Sequence, residues 1–183
     1  YVHMFAEGNA GMKSVLGGKG ANLAEMTRMG LKVPPGFTLT TEACVHFLKN
    51  GREFPDGLWE QVKESVKKLE QDTGRKFGDV KSPLLVSVRS GAAFSMPGMM
   101  DTILNLGLNA GTVDALAKLS GDRRFALDCY RRLIQMFSEV VLNVNMDMFE
   151  NQLEKLRERK KVKTDVELDE KALDELVGIY LKI

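Results

Sequence analysis

Cysteine is scarce in this chain. The 183 residues contain two, Cys44 and Cys129, far apart and each inside a helix-like segment. They form no Cys-x-x-Cys pair and no zinc-ligand spacing, which excludes a zinc module. Both are expected to be buried, reduced thiols. Histidine is as scarce: His3 lies in a strand-like opening and His46 on an amphipathic helix, and both are expected to be structural. Long apolar runs are missing too. None approaches the roughly 18 residues that a membrane-spanning helix needs, so no membrane association is expected. There is no excess of charge of one sign, with 26 Lys and Arg against 25 Asp and Glu, a formal net charge of +1. That balance excludes a strongly basic nucleic-acid binder and an acidic tail protein. No signal peptide opens the chain. It starts at Tyr1, not at a methionine, and its last helix is still amphipathic at Ile183. The ends are therefore expected to be cut from a longer protein, missing targeting signals carry little weight, and the default location is the cytoplasm.

What is present is enough for a proper core: one domain, or one domain with an appended subdomain. YVHMF (1–5) is short and β-like, and EGNAGMKSVLGGKG (7–20) reads as a glycine-rich connection. ANLAEMTRMG (21–30) predicts a helix with Leu23, Met26 and Met29 on one face and Gly30 as its stop. VPPGFTLTT (33–41) is a turn into a strand, because its prolines forbid helix. Thr41 suits the N-cap of a helix ending at Gly51. Apolar residues at 58, 59, 62, 66 and 69 predict another helix. LLVSVR (84–89) reads as a strand and DTILNLGLN (101–109) as a second, in which Asn105 faces either a ligand or solvent.

After about residue 110 the character becomes helical. In the longest segment Ala126, Cys129, Tyr130, Leu133, Phe137, Val140, Val141 and Val144 recur at three and four. The expected fold class is α+β: an α/β lobe over residues 1–110, with a mixed sheet, followed by a helical subdomain over 111–183.

Two stretches carry chemistry. In SVLGGKGANLAEM (14–26), Gly17, Gly18 and Gly20 let backbone N–H groups approach a ligand, and a helix N-terminus that favours anions follows. Lys19 lies inside the loop. The stretch is not a P-loop, since Gly20 follows Lys19 and Lys13 stands five before Gly18; nor is it GxGxxG, since Leu23 takes the third glycine's place. A glycine turn with a solvated lysine and a polyphosphate cradle are both open. In LLVSVRSGAAFSMPGMMDT (84–102), a strand ends on Arg89. A guanidinium grips phosphate oxygens in a fork, but an arginine paired with a buried carboxylate has the same sequence appearance. Met96, Met99 and Met100 either line a purine slot or fill core gaps. Asp101 either ligates Mg²⁺, begins a turn, or pairs with Arg89.

GGKGANLAEMTRMGLKVPPGFTLTTEAC and SVRSGAAFSMPGMMDTILNLGLN together closely resemble the start of the pyruvate, phosphate dikinase family, from the first residues to at least residue 150. The related phosphoenolpyruvate synthases share the GGK-type loop and VRSS-type strand but usually lack the SMPGMMDTILNLG continuation. The resemblance implies the first lobe of an ATP-grasp nucleotide-binding domain. It implies a phosphotransferase that uses ATP and inorganic phosphate to load a histidine on a swivelling domain of the same full-length chain. That phosphoryl group then passes reversibly to pyruvate, giving AMP, diphosphate and phosphoenolpyruvate. By the same resemblance Lys19 and Arg89 contact the ATP phosphates, and Ser90, Met100, Asp101 and Thr102 lie near the nucleotide. The Mg²⁺ ligands belong to a second lobe that this sequence lacks, and the full-length enzyme is expected to be a homodimer. Neither His3 nor His46 has a phosphoacceptor context, so this chain alone is not expected to complete the reaction.

Two other functions are kept in view. A non-catalytic nucleotide- or protein-binding module would look the same if the chain were complete. EKLRERKKVK (154–163) could meet nucleic-acid phosphates, but Glu154 and Glu158 interrupt it and aromatics are lacking; it is read as a solvated helix end, with no nucleic-acid partner. One lysine and one arginine on phosphate supply a few kcal/mol together, on the order of millimolar binding.

Overall fold

The computed structural model describes residues 1–91 and 101–183. The methionine stretch holding Met96, Met99 and Met100 lies outside the described residues. These fall into two compact units: Tyr1–Gly74 with Ser90 and Gly91, and Arg75–Arg89 with Asp101–Ile183. Among the described residues there are seven α-helices and four short strands. The strands form two separate two-stranded antiparallel sheets, not the single mixed sheet expected.

In the first unit β1 (Val2–Met4) pairs with β2 (Phe37–Leu39), placing His3 opposite Thr38. Helices α1 (Lys13–Arg28), α2 (Thr41–Lys49) and α3 (Leu58–Thr73) complete it. The Val2 N–H donates to Gln61 Oε1 at 3.2 Å, which ties β1 to α3. Gly30, at φ 77°, follows α1 as the sequence predicts for a stop.

Several local expectations are corrected here. Helix α1 begins at Lys13, well before residue 21, and is kinked at Gly17. Three glycines close together, at 17, 18 and 20, read as a loop by propensity, yet tertiary packing keeps most of that stretch helical. The buried face of α1 is Leu16, Ala21 and Ala24, while Met26 and Met29 are exposed. Small side chains let the α1 backbone come close to its neighbours, and the longer methionines are left outside. Thr40, not Thr41, caps α2; its hydroxyl accepts from the Ala43 N–H. Cys44 is exposed and Cys129 only partly buried, because α2 turns Ala43 inward instead.

In the second unit β3 (Val86–Arg89) pairs with β4 (Thr102–Leu106), with Val88 opposite Ile103 and Arg89 opposite Thr102. A register shift lies between Val86 and Val88. It puts one extra residue on β4, and Asn105 takes a left-handed φ of 59° there, a conformation asparagine tolerates.

Helices α4 (Thr112–Ser120), α5 (Arg123–Val140), α6 (Met146–Lys160) and α7 (Glu170–Tyr180) follow. Asp122, Asn145 and Asp169 cap the last three by accepting backbone N–H bonds. Leu127, Phe149, Leu156, Leu168, Leu173, Leu176 and Tyr180 are the fully buried heart of this unit. Phe149 and Tyr180 meet edge to face at 4.9 Å. The Tyr180 hydroxyl donates to the Phe149 carbonyl. The predicted apolar stripe of α5 holds through Leu133, but Val140 and Val141 are exposed. Polar Arg131 and Gln135 are buried instead. No helix among the described residues is long and apolar enough to cross a membrane.

Candidate functional site

The lysine of the glycine motif owes its place to a backbone break. Gly17 has φ 68° and ψ 172°, a region that only glycine occupies without serious strain. The helix restarts immediately after it, so Lys19 stands in the first turn beyond the kink and not in an open loop. Both sides of the kink are anchored. Before it, the Thr41 hydroxyl donates to the Ser14 carbonyl at 2.6 Å. After it, Gly20 is buried against Thr38 of β2. Further along, Glu25 accepts from the Ala10 N–H and from Arg28. The Arg28 hydrogen bond, then the Ala10 N–H, hold the Glu25 carboxyl below its ordinary range.

Lys19 is partly buried, and its Nζ donates to the main-chain carbonyl of Ser90 at 3.2 Å. That acceptor is neutral, so it orients the ammonium without cancelling its charge. No carboxylate among the described residues forms a salt bridge with Lys19.

Arg89 ends β3, exposed to solvent, in a strand whose last three residues are all exposed. The antiparallel register sets it opposite Thr102, and Asp101 precedes that threonine in the chain. Of the sequence-predicted residues, then, Arg89 and Thr102 are brought together as a cross-strand pair, and Lys19 and Ser90 by a hydrogen bond. Met100 lies outside the described residues. His3 and His46 are both partly buried. The role of Gly20 as a packing residue was hidden in the sequence, because its signal depends on Thr38, 18 positions away. No three His, Cys, Asp or Glu side chains converge among the described residues, so these do not by themselves form a cage for a divalent cation.

Each unit presents one cation, and the two differ in character. The lysine is a point charge held by a carbonyl, and the arginine is a planar fork on a stiff strand. Such groups suit phosphate oxygens.

Comparison with known proteins gives the family. The model of the family described as "Pyruvate phosphate dikinase, AMP/ATP-binding domain" matches residues 13–54 and 50–144. A chloroplastic pyruvate, phosphate dikinase of Mesembryanthemum crystallinum is 54% identical over 97% of this chain and 19% of its own length. That of Entamoeba histolytica is 51% identical over 99% of this chain and 20% of its own length. That of Clostridium symbiosum is 52% identical over 96% of this chain, again 20% of its own length. The chain thus spans about a fifth of the length of these curated relatives. Likeness of this degree over nearly every residue, with the glycine motif and the arginine strand both inside the matched region, shows that the chain belongs to the family of pyruvate phosphate dikinase AMP/ATP-binding domains.

Proposed function

We infer that this chain supplies part of the ATP-binding portion of a pyruvate, phosphate dikinase. In this reading residues 1–110 are the α/β lobe of an ATP-grasp domain, and residues 111–183 are a helical subdomain. Lys19 neutralises phosphate charge, and Arg89 forks onto the distal phosphates of ATP or the incoming inorganic phosphate. Ser90, Met100, Asp101 and Thr102 lie near the nucleotide.

The observation that carries the reading is the state of Lys19. Its ammonium is fixed by a carbonyl, beside a break that only glycine permits, with its charge left for an anion. A solvated surface lysine needs neither feature.

Phosphoryl transfer rests on positioning and charge neutralisation more than on covalent participation of side chains. Lys19 and Arg89 hold the transferring phosphate chain, and the acceptor is a histidine on another domain of the full-length protein. Mg²⁺, when bound with ATP, neutralises phosphate charge. The described residues do not fit a complete site for it. The full-length enzyme is a cytoplasmic homodimer in this reading, although some relatives are named chloroplastic.

The test uses the two half-reactions of the full-length protein. Lys19→Ala and Arg89→Ala should each slow ATP-dependent histidine phosphorylation by about ten-fold or more. Phosphoryl exchange between the histidine and pyruvate should be nearly unchanged. Equal loss in both halves contradicts the assignment.

A further inference from the structure

We propose that Gly20 and Thr38 are positioning residues for the Lys19 ammonium, acting through a helix-to-strand contact that has no room for a Cβ atom; this rests on the phosphate role of Lys19 given above. Gly20 is buried and helical, and its φ is not in the left-handed region. Backbone conformation therefore does not require glycine there. Space does. A Cβ at Gly20 would stand 2.8 Å from both Cγ2 and Oγ1 of Thr38, and 3.2 Å from Leu16 Cβ. Ordinary carbon contacts begin near 3.5 Å.

Thr38 cannot swing clear. Two of its three γ positions are filled by heavy atoms, and both face Gly20. Rotation about χ1 always leaves one of them there. Thr38 is itself fixed in β2 opposite His3 of β1, and a strand-borne β-branched side chain is stiff. The structure that gives way is α1, and Lys19 is the residue next to the contact. On its other side the helix is held by the Thr41–Ser14 hydrogen bond, so displacement concentrates in the turn that carries Lys19. Loss of well under a helical turn of position suffices to break a charge-assisted hydrogen bond, whose geometry tolerates only a few tenths of an ångström.

Glycines of this motif are open to a different explanation, that they let phosphate oxygens reach backbone N–H groups. The two explanations differ on Thr38, and that difference is the test. ATP affinity is measured on the full-length protein by displacement of a fluorescent ATP analogue, with thermal unfolding in parallel. Gly20→Ala should weaken ATP binding about ten-fold. Adding Thr38→Ala, which removes both obstructing atoms, should restore most of that loss. In a Lys19→Ala background, Gly20→Ala should have no further effect, because the two changes act through one group. A purely structural role would instead lower the unfolding midpoint and add to Lys19→Ala. A phosphate-approach role would leave Thr38→Ala without any restoring effect. Either result overturns the proposal. If Gly20→Ala does not fold, Thr38→Ile crowds the same contact from the strand side and should give the same Lys19-dependent loss; an unchanged affinity there also overturns it. If Lys19→Ala alone leaves ATP binding intact, it is the phosphate assignment that has failed, and the positioning proposal falls with it.

Discussion

The Lys19 ammonium and the Ser90 carbonyl are joined by a hydrogen bond of 3.2 Å, although 71 residues separate them in the chain. The contact gives the lysine a fixed direction while leaving its charge whole. Surface charges act through water and are screened by salt. The affinity of the full-length protein for ATP should therefore fall as ionic strength rises from about one tenth to half molar. In Lys19→Met the dependence should be shallower. Equal slopes for wild type and variant would count against a phosphate role for this ammonium.

The kink at Gly17 makes a stability prediction. With φ 68° and ψ 172°, and the residue buried, any side chain there is strained. Gly17→Ala should lower the unfolding free energy by about 1–3 kcal/mol, read from denaturant midpoints. Gly30→Ala is the comparison: its φ is also positive, at 77°, but a Cβ would meet nothing within 4 Å. The Gly17 variant should be the more damaging of the two for ATP affinity. Matching affinities would show that the kink does not place the lysine.

A second prediction concerns the buried cation of α5. Arg131 is 3% exposed. Burial works against its charge, but the hydrogen bond it donates to Asp128 and the charges of the Asp128 and Asp165 carboxylates outweigh this and raise its pKa. It bonds Asp128 at 2.7 Å and Asp165 at 3.4 Å, while Arg124 donates to the Asp165 and Leu168 carbonyls. These bonds pin the segment between α6 and α7 onto α5. Removing the arginine leaves two partly buried carboxylates without their cation. Arg131→Met should cost about 1–3 kcal/mol in denaturant unfolding. A loss below about 1 kcal/mol would mean that the pairs are as weak as exposed ones.

Alkaline pH gives a third. Burial pushes the Tyr180 phenol up, with Arg131 opposing it, and burial pushes the Tyr130 phenol up as well. A raised value means that the folded protein keeps protons that the unfolded chain has lost. The associated stability is therefore complete below the ordinary tyrosine value of about 10 and is lost as pH climbs through the folded value. Unfolding free energies measured from about pH 9 to 11 should fall more steeply in wild type than in Tyr180→Phe. Parallel curves would contradict the burial argument.

Much of this was legible in the sequence. The periodicity of α3 and α5, the glycine after α1 and the alternation after residue 84 all report local rules that the packing respects. The register of Arg89 with Thr102 was not legible, because a shift between Val86 and Val88 intervenes. What could not be read depends on partners distant in sequence. A run with glycines at 17, 18 and 20 looks like a loop until Thr38 is known to lie against Gly20. The caps Thr40 and Thr41 are indistinguishable until one hydroxyl is seen to take Ala43 and the other Ser14. Periodicity marked Met26 and Met29 as apolar, but the close approach of α1 at Ala21 and Ala24 decided which face was covered. Arg131 and Gln135 are polar residues on a helix, and their burial depends on Asp128, Asp165 and Glu150, which accept from them.

The most direct measurement compares nucleotide with nucleoside. Titration calorimetry of ATP and of adenosine into the full-length protein, wild type and the Lys19→Ala and Arg89→Ala variants, separates phosphate contacts from base contacts. Each variant should bind ATP about ten-fold more weakly or worse, with adenosine affinity unchanged. ATP binding as tight in both variants as in wild type would show that these two cations do not hold the phosphate chain.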